Sequence, residues 1–99
     1  MGSMEEIDPL RNLIRSNDDE ELCRVCGYAG GPFFEGTWPS SAICSCCGWD
    51  AQTQPAGIAG TRELRGYWIG HGARWHFPTD KPKDWDLYTQ IQAIPELWR

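Results

Sequence analysis

Cys23-Arg24-Val25-Cys26-Gly27-Tyr28 and Cys44-Ser45-Cys46-Cys47-Gly48-Trp49 are two copies of one pattern: paired cysteines two residues apart, a glycine, then an aromatic ring. Seventeen residues separate Cys26 from Cys44. A pair of cysteines at this spacing can grip one side of a tetrahedral ion, and a second pair from elsewhere in the chain closes the coordination sphere. The glycine belongs to the same chemistry. Lacking Cβ, it enters left-handed backbone conformations at little cost, so the chain can double back and aim amide N–H groups at the thiolates. The pattern therefore reads as a four-thiolate metal site with Cys23, Cys26, Cys44 and Cys47 as ligands. Cys46 is the spare thiol, a small residue packed beside the cluster. A competing set would use Cys46 in place of Cys47, with a tighter second hook and no matching glycine.

Working outward, the 99 residues form one small domain that buries only about two-thirds of its unfolded surface. Structural zinc contributes about 10–16 kcal/mol in finger-type peptides, as much as the whole stability of such a domain, so folding and metal binding should be one event. Six tryptophans, three tyrosines and three phenylalanines supply large buried areas from few residues and point to an aromatic core close to the metal. An odd count of five cysteines at knuckle spacing suits thiolate ligation in a reducing compartment better than disulfides. With no apolar stretch of transmembrane length and no basic-then-hydrophobic leader, a soluble cytoplasmic protein is expected. Met1-Gly2-Ser3 ahead of Met4 reads as an expression scar.

The net charge of −5 sits at one end. Residues 1–21 carry seven acids against Arg11 and Arg15, whereas residues 22–99 carry seven of each sign. Nucleic-acid binders concentrate positive charge on one face. No Lys/Arg cluster here resembles that. A nucleic-acid ribbon would need a face assembled from Arg62, Arg65, Arg74, Lys81 and Lys83. The acidic run Asp18, Asp19, Glu20 and Glu21 suits a basic protein partner or a solvated face kept for solubility.

Three segments follow: an acidic helix with the tag remnant over 1–21, a zinc ribbon over 22–50, and a helical half over 51–99. Asp8-Pro9 starts the first helix, with Leu10, Leu13 and Ile14 on one face. Between the hooks, Phe33-Phe34 and the stretch around Ile43 are expected to pair as short strands. Ala51–Gly60 reads as a loop, and Thr61 as the N-cap of a helix whose Leu64, Tyr67, Trp68, His71 and Trp75 face the ribbon. That helix is expected to end at Gly70-His71-Gly72. Asp84 should cap a last helix carrying Leu87, Ile91 and Ile94, stopped by Pro95. His71 and His76 stand in no hydrolytic metal pattern and read as packing histidines. Four thiolates also leave a zinc ion no open position for catalysis.

The two hooks, with Ile43 before the second and Trp49-Asp50 after it, resemble the cysteine-rich "CPCC" class of small bacterial proteins. The likeness covers residues 22–50 and extends loosely to Tyr67-Trp68-Ile69 and Trp85. Arg24 and Ser45 stand where that class often has proline. Some similar small proteins accompany bacterial toxins, so the resemblance implies a partner-binding module. Cys23 through Tyr28 also resembles the first half of a rubredoxin, which implies iron and electron transfer. Rubredoxins have a longer interval between hooks and no helical half.

Together these readings give an α+β fold, a zinc ribbon flanked by helices. The expected function is non-catalytic binding of a basic partner, most specifically as an immunity or antitoxin-type inhibitor of a bacterial toxin. An iron electron carrier and a nucleic-acid ribbon are the alternatives.

Overall fold

The structure, a computed structural model, describes residues 19–99. The helix expected from Asp8, and Asp18 of the acidic run, lie outside the described residues. The rest is mixed α+β. Each cysteine hook closes on itself in the same way, which is why the sequence pattern repeats. In the first, the Cys23 carbonyl accepts from the Gly27 N–H at 2.9 Å and the Cys23 N–H donates to the Tyr28 carbonyl at 2.9 Å. In the second, Cys44, Gly48 and Trp49 repeat both bonds at 2.9 Å. Both turns need a left-handed residue, and Gly27 and Gly48 supply it at φ +86° and +81°.

Between the hooks, strand β1 (Phe34–Glu35) pairs antiparallel with β2 (Trp38–Pro39), Phe34 opposite Pro39 and Glu35 opposite Trp38. The expected partner of the Phe33-Phe34 stretch was Ile43. Instead Gly36-Thr37 closes the hairpin locally, since Gly36 adopts φ +64° and a short loop costs little closure entropy. Ile43 bridges Asp50 across the base of its own hook. On the other edge Glu20 bridges Phe34, with the Glu20 N–H donating to the Phe34 carbonyl at 2.9 Å.

Helix α1 spans Ile58–Gly70, so it starts three residues ahead of the expected Thr61 cap. Gly57 occupies the N-cap position, and the buried Thr61 donates its hydroxyl to the Ile58 carbonyl at 3.1 Å instead. Gly60 reads as a loop residue in sequence, yet it is helical for a tertiary reason. A Cβ there would sit 2.3 Å from Pro55 Cβ, so only glycine lets the preceding loop lie against the helix. The helix ends where expected. Gly72, at φ +98°, donates to the Ile69 carbonyl, and Ala73 donates to the Trp68 carbonyl at 2.9 Å, the paired bonds of a Schellman terminus.

After a 3₁₀ turn at Pro78–Asp80, helix α2 covers Leu87–Ile91. Its cap is Asp86 rather than Asp84: the Asp86 carboxylate accepts from the Thr89 N–H at 2.9 Å and the Thr89 hydroxyl at 2.8 Å. The helix closes before Ile94, which is buried in the turn that follows, and Pro95 introduces a final 3₁₀ turn at Glu96–Trp98. That turn docks on α1. Arg62 donates to the Arg99 carbonyl, and Arg65 donates to the Trp98 carbonyl at 2.7 Å.

The core is aromatic and surrounds the hooks. Phe33 and Phe34 lie against Trp49, and Trp75 meets Tyr28 and Trp85 edge-on at 5.2 and 5.6 Å. Burying one ring of this kind contributes about 1.5–3 kcal/mol. Three of the indole N–H groups are satisfied: Trp49 by the Pro55 carbonyl, Trp68 by the Arg74 carbonyl and Trp85 by the Gln90 side chain. Trp75 Nε1 is buried without a partner.

Candidate metal centre

The two hooks bring Cys23, Cys26, Cys44 and Cys47 together, all four sulfurs within 4.8 Å of one another. Contacts run across the hooks, with Cys23 Sγ 3.6 Å from Cys47 Sγ and Cys26 Sγ 3.6 Å from Cys44 Sγ. A tetrahedral ion with metal–sulfur bonds of about 2.3 Å requires sulfur–sulfur edges of about 3.8 Å. The donors therefore fit such an ion. Cys23, Cys26 and Cys44 are fully buried, and the Val25 N–H donates to Cys23 Sγ at 3.4 Å. Both zinc and iron take four thiolates in this arrangement.

Crowding the sulfurs also splits their proton affinities. Hydrogen bonds from neighbouring thiols, Cys23 first, hold Cys44 well below the ordinary thiol range. Hydrogen bonding with Cys23 above all pushes Cys26 and Cys47 well above it. A bound divalent ion would displace thiol protons, so loading is coupled to pH.

Cys46 is buried but stands outside the ligand set. Its sulfur accepts from Gln90 Nε2 at 3.1 Å, and its carbonyl accepts from the His76 N–H at 2.9 Å. The same Gln90 amide reaches the Cys26 carbonyl at 3.3 Å, while its oxygen is held by Trp85 Nε1 at 2.6 Å. One glutamine on α2 thereby ties both hooks to the C-terminal half. Nothing in the periodicity of residues 84–94 singles it out.

Three charged residues near the centre hold the fold together, a task the sequence reading did not give them. Arg24, at the position that looked like a mere departure from proline, is buried at 6% exposure. Its guanidinium forks onto Glu20 at 2.8 and 2.6 Å, donates to the Ala56 carbonyl at 2.8 Å, and is sandwiched between the rings of Phe34 and Trp98, each 3.9 Å away. Glu20 of the acidic run is thereby spent on the interior, whereas Asp19 and Glu21 are exposed. Arg65 crosses from α1 to the Val25 carbonyl and, at 2.9 Å, to the Arg24 carbonyl, and burial lowers its pKa from the ordinary value. Its charge couples to Cys23, Cys26 and Cys47. Arginine in this place partly offsets the net −2 of a loaded tetrathiolate.

The predicted packing histidines are both exposed. His71 stacks on Tyr67 at 4.0 Å and gives its Nδ1 proton to the Tyr67 carbonyl at 2.7 Å. His76 borders Gly48, where a Cβ would meet its Nδ1 at 3.0 Å. No helix among the described residues is long and apolar enough to cross a membrane. Comparison with known proteins returned no match to a family model, a curated protein or a solved structure.

Proposed function

We propose that the chain is a non-catalytic zinc-ribbon module whose metal is structural and whose task is to bind a basic protein. The observation that carries this reading is the closure of the centre: four sulfurs within 4.8 Å of one another fill a tetrahedral sphere and leave no position for substrate or water. Acidic charge concentrated at residues 1–21 supports a basic partner, as does the resemblance of the hooks to small proteins that accompany bacterial toxins. An immunity or antitoxin-type inhibitor is the specific form of this proposal. The nucleic-acid alternative is disfavoured because two of its five basic residues, Arg62 and Arg65, spend their guanidinium groups on backbone carbonyls.

Co-expression with neighbouring gene products, followed by pull-down, tests the partner. A basic protein should be captured, and binding should weaken with salt and on changing Asp18, Asp19 and Glu21 to their amides. Capture unaffected by those substitutions would overturn the acidic surface. The iron alternative separates by colour, since an oxidised ferric tetrathiolate is red and a zinc one is colourless.

A further inference from the structure

A cleft of about 410 Å³ opens where α1 faces the second hook, within the range of small-molecule sites. Its apolar walls are Leu64, Tyr67 and Trp68 from α1, with the almost fully buried Trp49 behind them. Of the stripe read from the sequence, Leu64, Tyr67, Trp68 and His71 line this open cleft, whereas Trp75 lies beyond the end of α1 and is buried against Tyr28 and Trp85. Both indole N–H groups are consumed, by the Pro55 and Arg74 carbonyls at 3.0 and 2.8 Å. The walls accordingly offer a ligand aromatic and aliphatic surface.

The polar side chains lining the cleft are Cys47, Gln54, Tyr67, His71 and Arg74, of which Arg74 alone carries a fixed positive charge. The Arg74 guanidinium has no hydrogen bond or ion pair among the described residues, unlike Arg24, Arg62 and Arg65. Gln54 has its oxygen occupied by the Asp50 N–H at 2.8 Å, which leaves its amide N–H groups to give. No carboxylate is among the lining residues. An apolar body over Leu64, Tyr67 and Trp68 with an anionic head on Arg74 matches this inventory. The opposing influence is Cys47, which lines the cleft and shares the negative charge of a loaded centre, but Arg65 couples directly to that charge from within the fold.

We propose that this cleft binds a small aromatic carboxylate, its ring against Leu64, Tyr67 and Trp68 and its carboxylate on Arg74. The test is a ¹⁵N NMR titration of the metal-loaded chain with three probes of one shape: indole-3-acetate, the neutral indole-3-acetamide and the cationic tryptamine. The acid should bind at least about tenfold tighter than the amide, with shifts centred on Leu64, Tyr67 and Trp68, and tryptamine weakest. Arg74→Gln should abolish the preference for the acid, so that acid and amide bind alike. Arg74 is exposed and its side chain bonds nothing in the described residues, and the wild-type comparison stands without the variant. Absence of saturable shifts at millimolar acid, equal binding of all three probes, or tightest binding of tryptamine would each overturn the proposal.

Discussion

Gly27 and Gly48 occupy equivalent places in two hooks with the same backbone bonds, so replacing each with alanine makes a controlled experiment. Both substitutions force a Cβ into the left-handed region, at φ +86° and +81°, which costs about 1–2 kcal/mol in either hook. The surroundings then differ. At Gly27 the new methyl would lie 2.6 Å from the Gln90 carbonyl oxygen and 3.0 Å from the Ile94 nitrogen, both backbone atoms of the C-terminal half. The chain after α2 can yield only by moving away and loosening the amide that holds Cys46. Overpacking of this kind adds about 1–3 kcal/mol. At Gly48 the first neighbour is His76 Nδ1 at 3.0 Å, on an exposed side chain that can rotate aside. Gly27→Ala should therefore cost about 3–4 kcal/mol and Gly48→Ala about 1–2, a difference of roughly 30-fold in the folding equilibrium. Urea unfolding at fixed free metal, followed by tryptophan fluorescence, measures both. Equal costs, or the reverse order, would refute the claim that α2 is clamped onto the first hook.

Arg24→Ala should destabilise by about 3–4 kcal/mol in the same assay, because it strands Glu20 and empties the gap between Phe34 and Trp98. Glu20→Gln keeps a hydrogen-bond acceptor and should cost about 1–2 kcal/mol, so a neutral effect would return Glu20 to the surface set. Gln90→Leu should leave metal content unchanged while raising the solvent reactivity of Cys46, read by thiol labelling of the loaded protein; unchanged labelling would show that Gln90 does not guard that sulfur. Hydrogen bonds from Thr89, side chain first and then backbone, hold the exposed Asp86 carboxyl below its usual range. Its stabilisation of α2 is thus present above the ordinary carboxylate pKa and lost as pH falls through the lowered folded value. A Thr89 amide shift that titrates at or above the ordinary value would contradict that sign.

The four-cysteine cluster was legible because it rests on local grammar: spacing, the trailing glycine and the ring after it are properties of one hook, and each hook closes by its own backbone bonds. The end of α1 was legible for the same reason, since Gly72 supplies the left-handed step where the helix stops. What sequence could not show was set by which side chains and segments pack against one another. Gly60 looks like a loop former until Pro55 is seen against it. Arg24 looks like a mere departure from proline until Phe34 and Trp98 enclose it from either side. Asp84 and Asp86 are equally good caps by residue type, and the choice falls to the one whose third following residue, Thr89, presents both an amide and a hydroxyl. Gln90 carries no signal of any kind, because its two tasks join residues 26 and 46 to the C-terminal half.

The centre itself is tested most directly by elemental analysis of the purified chain, with far-UV and tryptophan spectra recorded before and after chelation. One ion per chain is expected, zinc in a colourless protein, with collapse of the native spectrum when the ion is withdrawn and recovery when zinc returns. A chain that purifies without metal, or keeps its native spectrum after complete removal, would contradict a fold organised around four sulfurs.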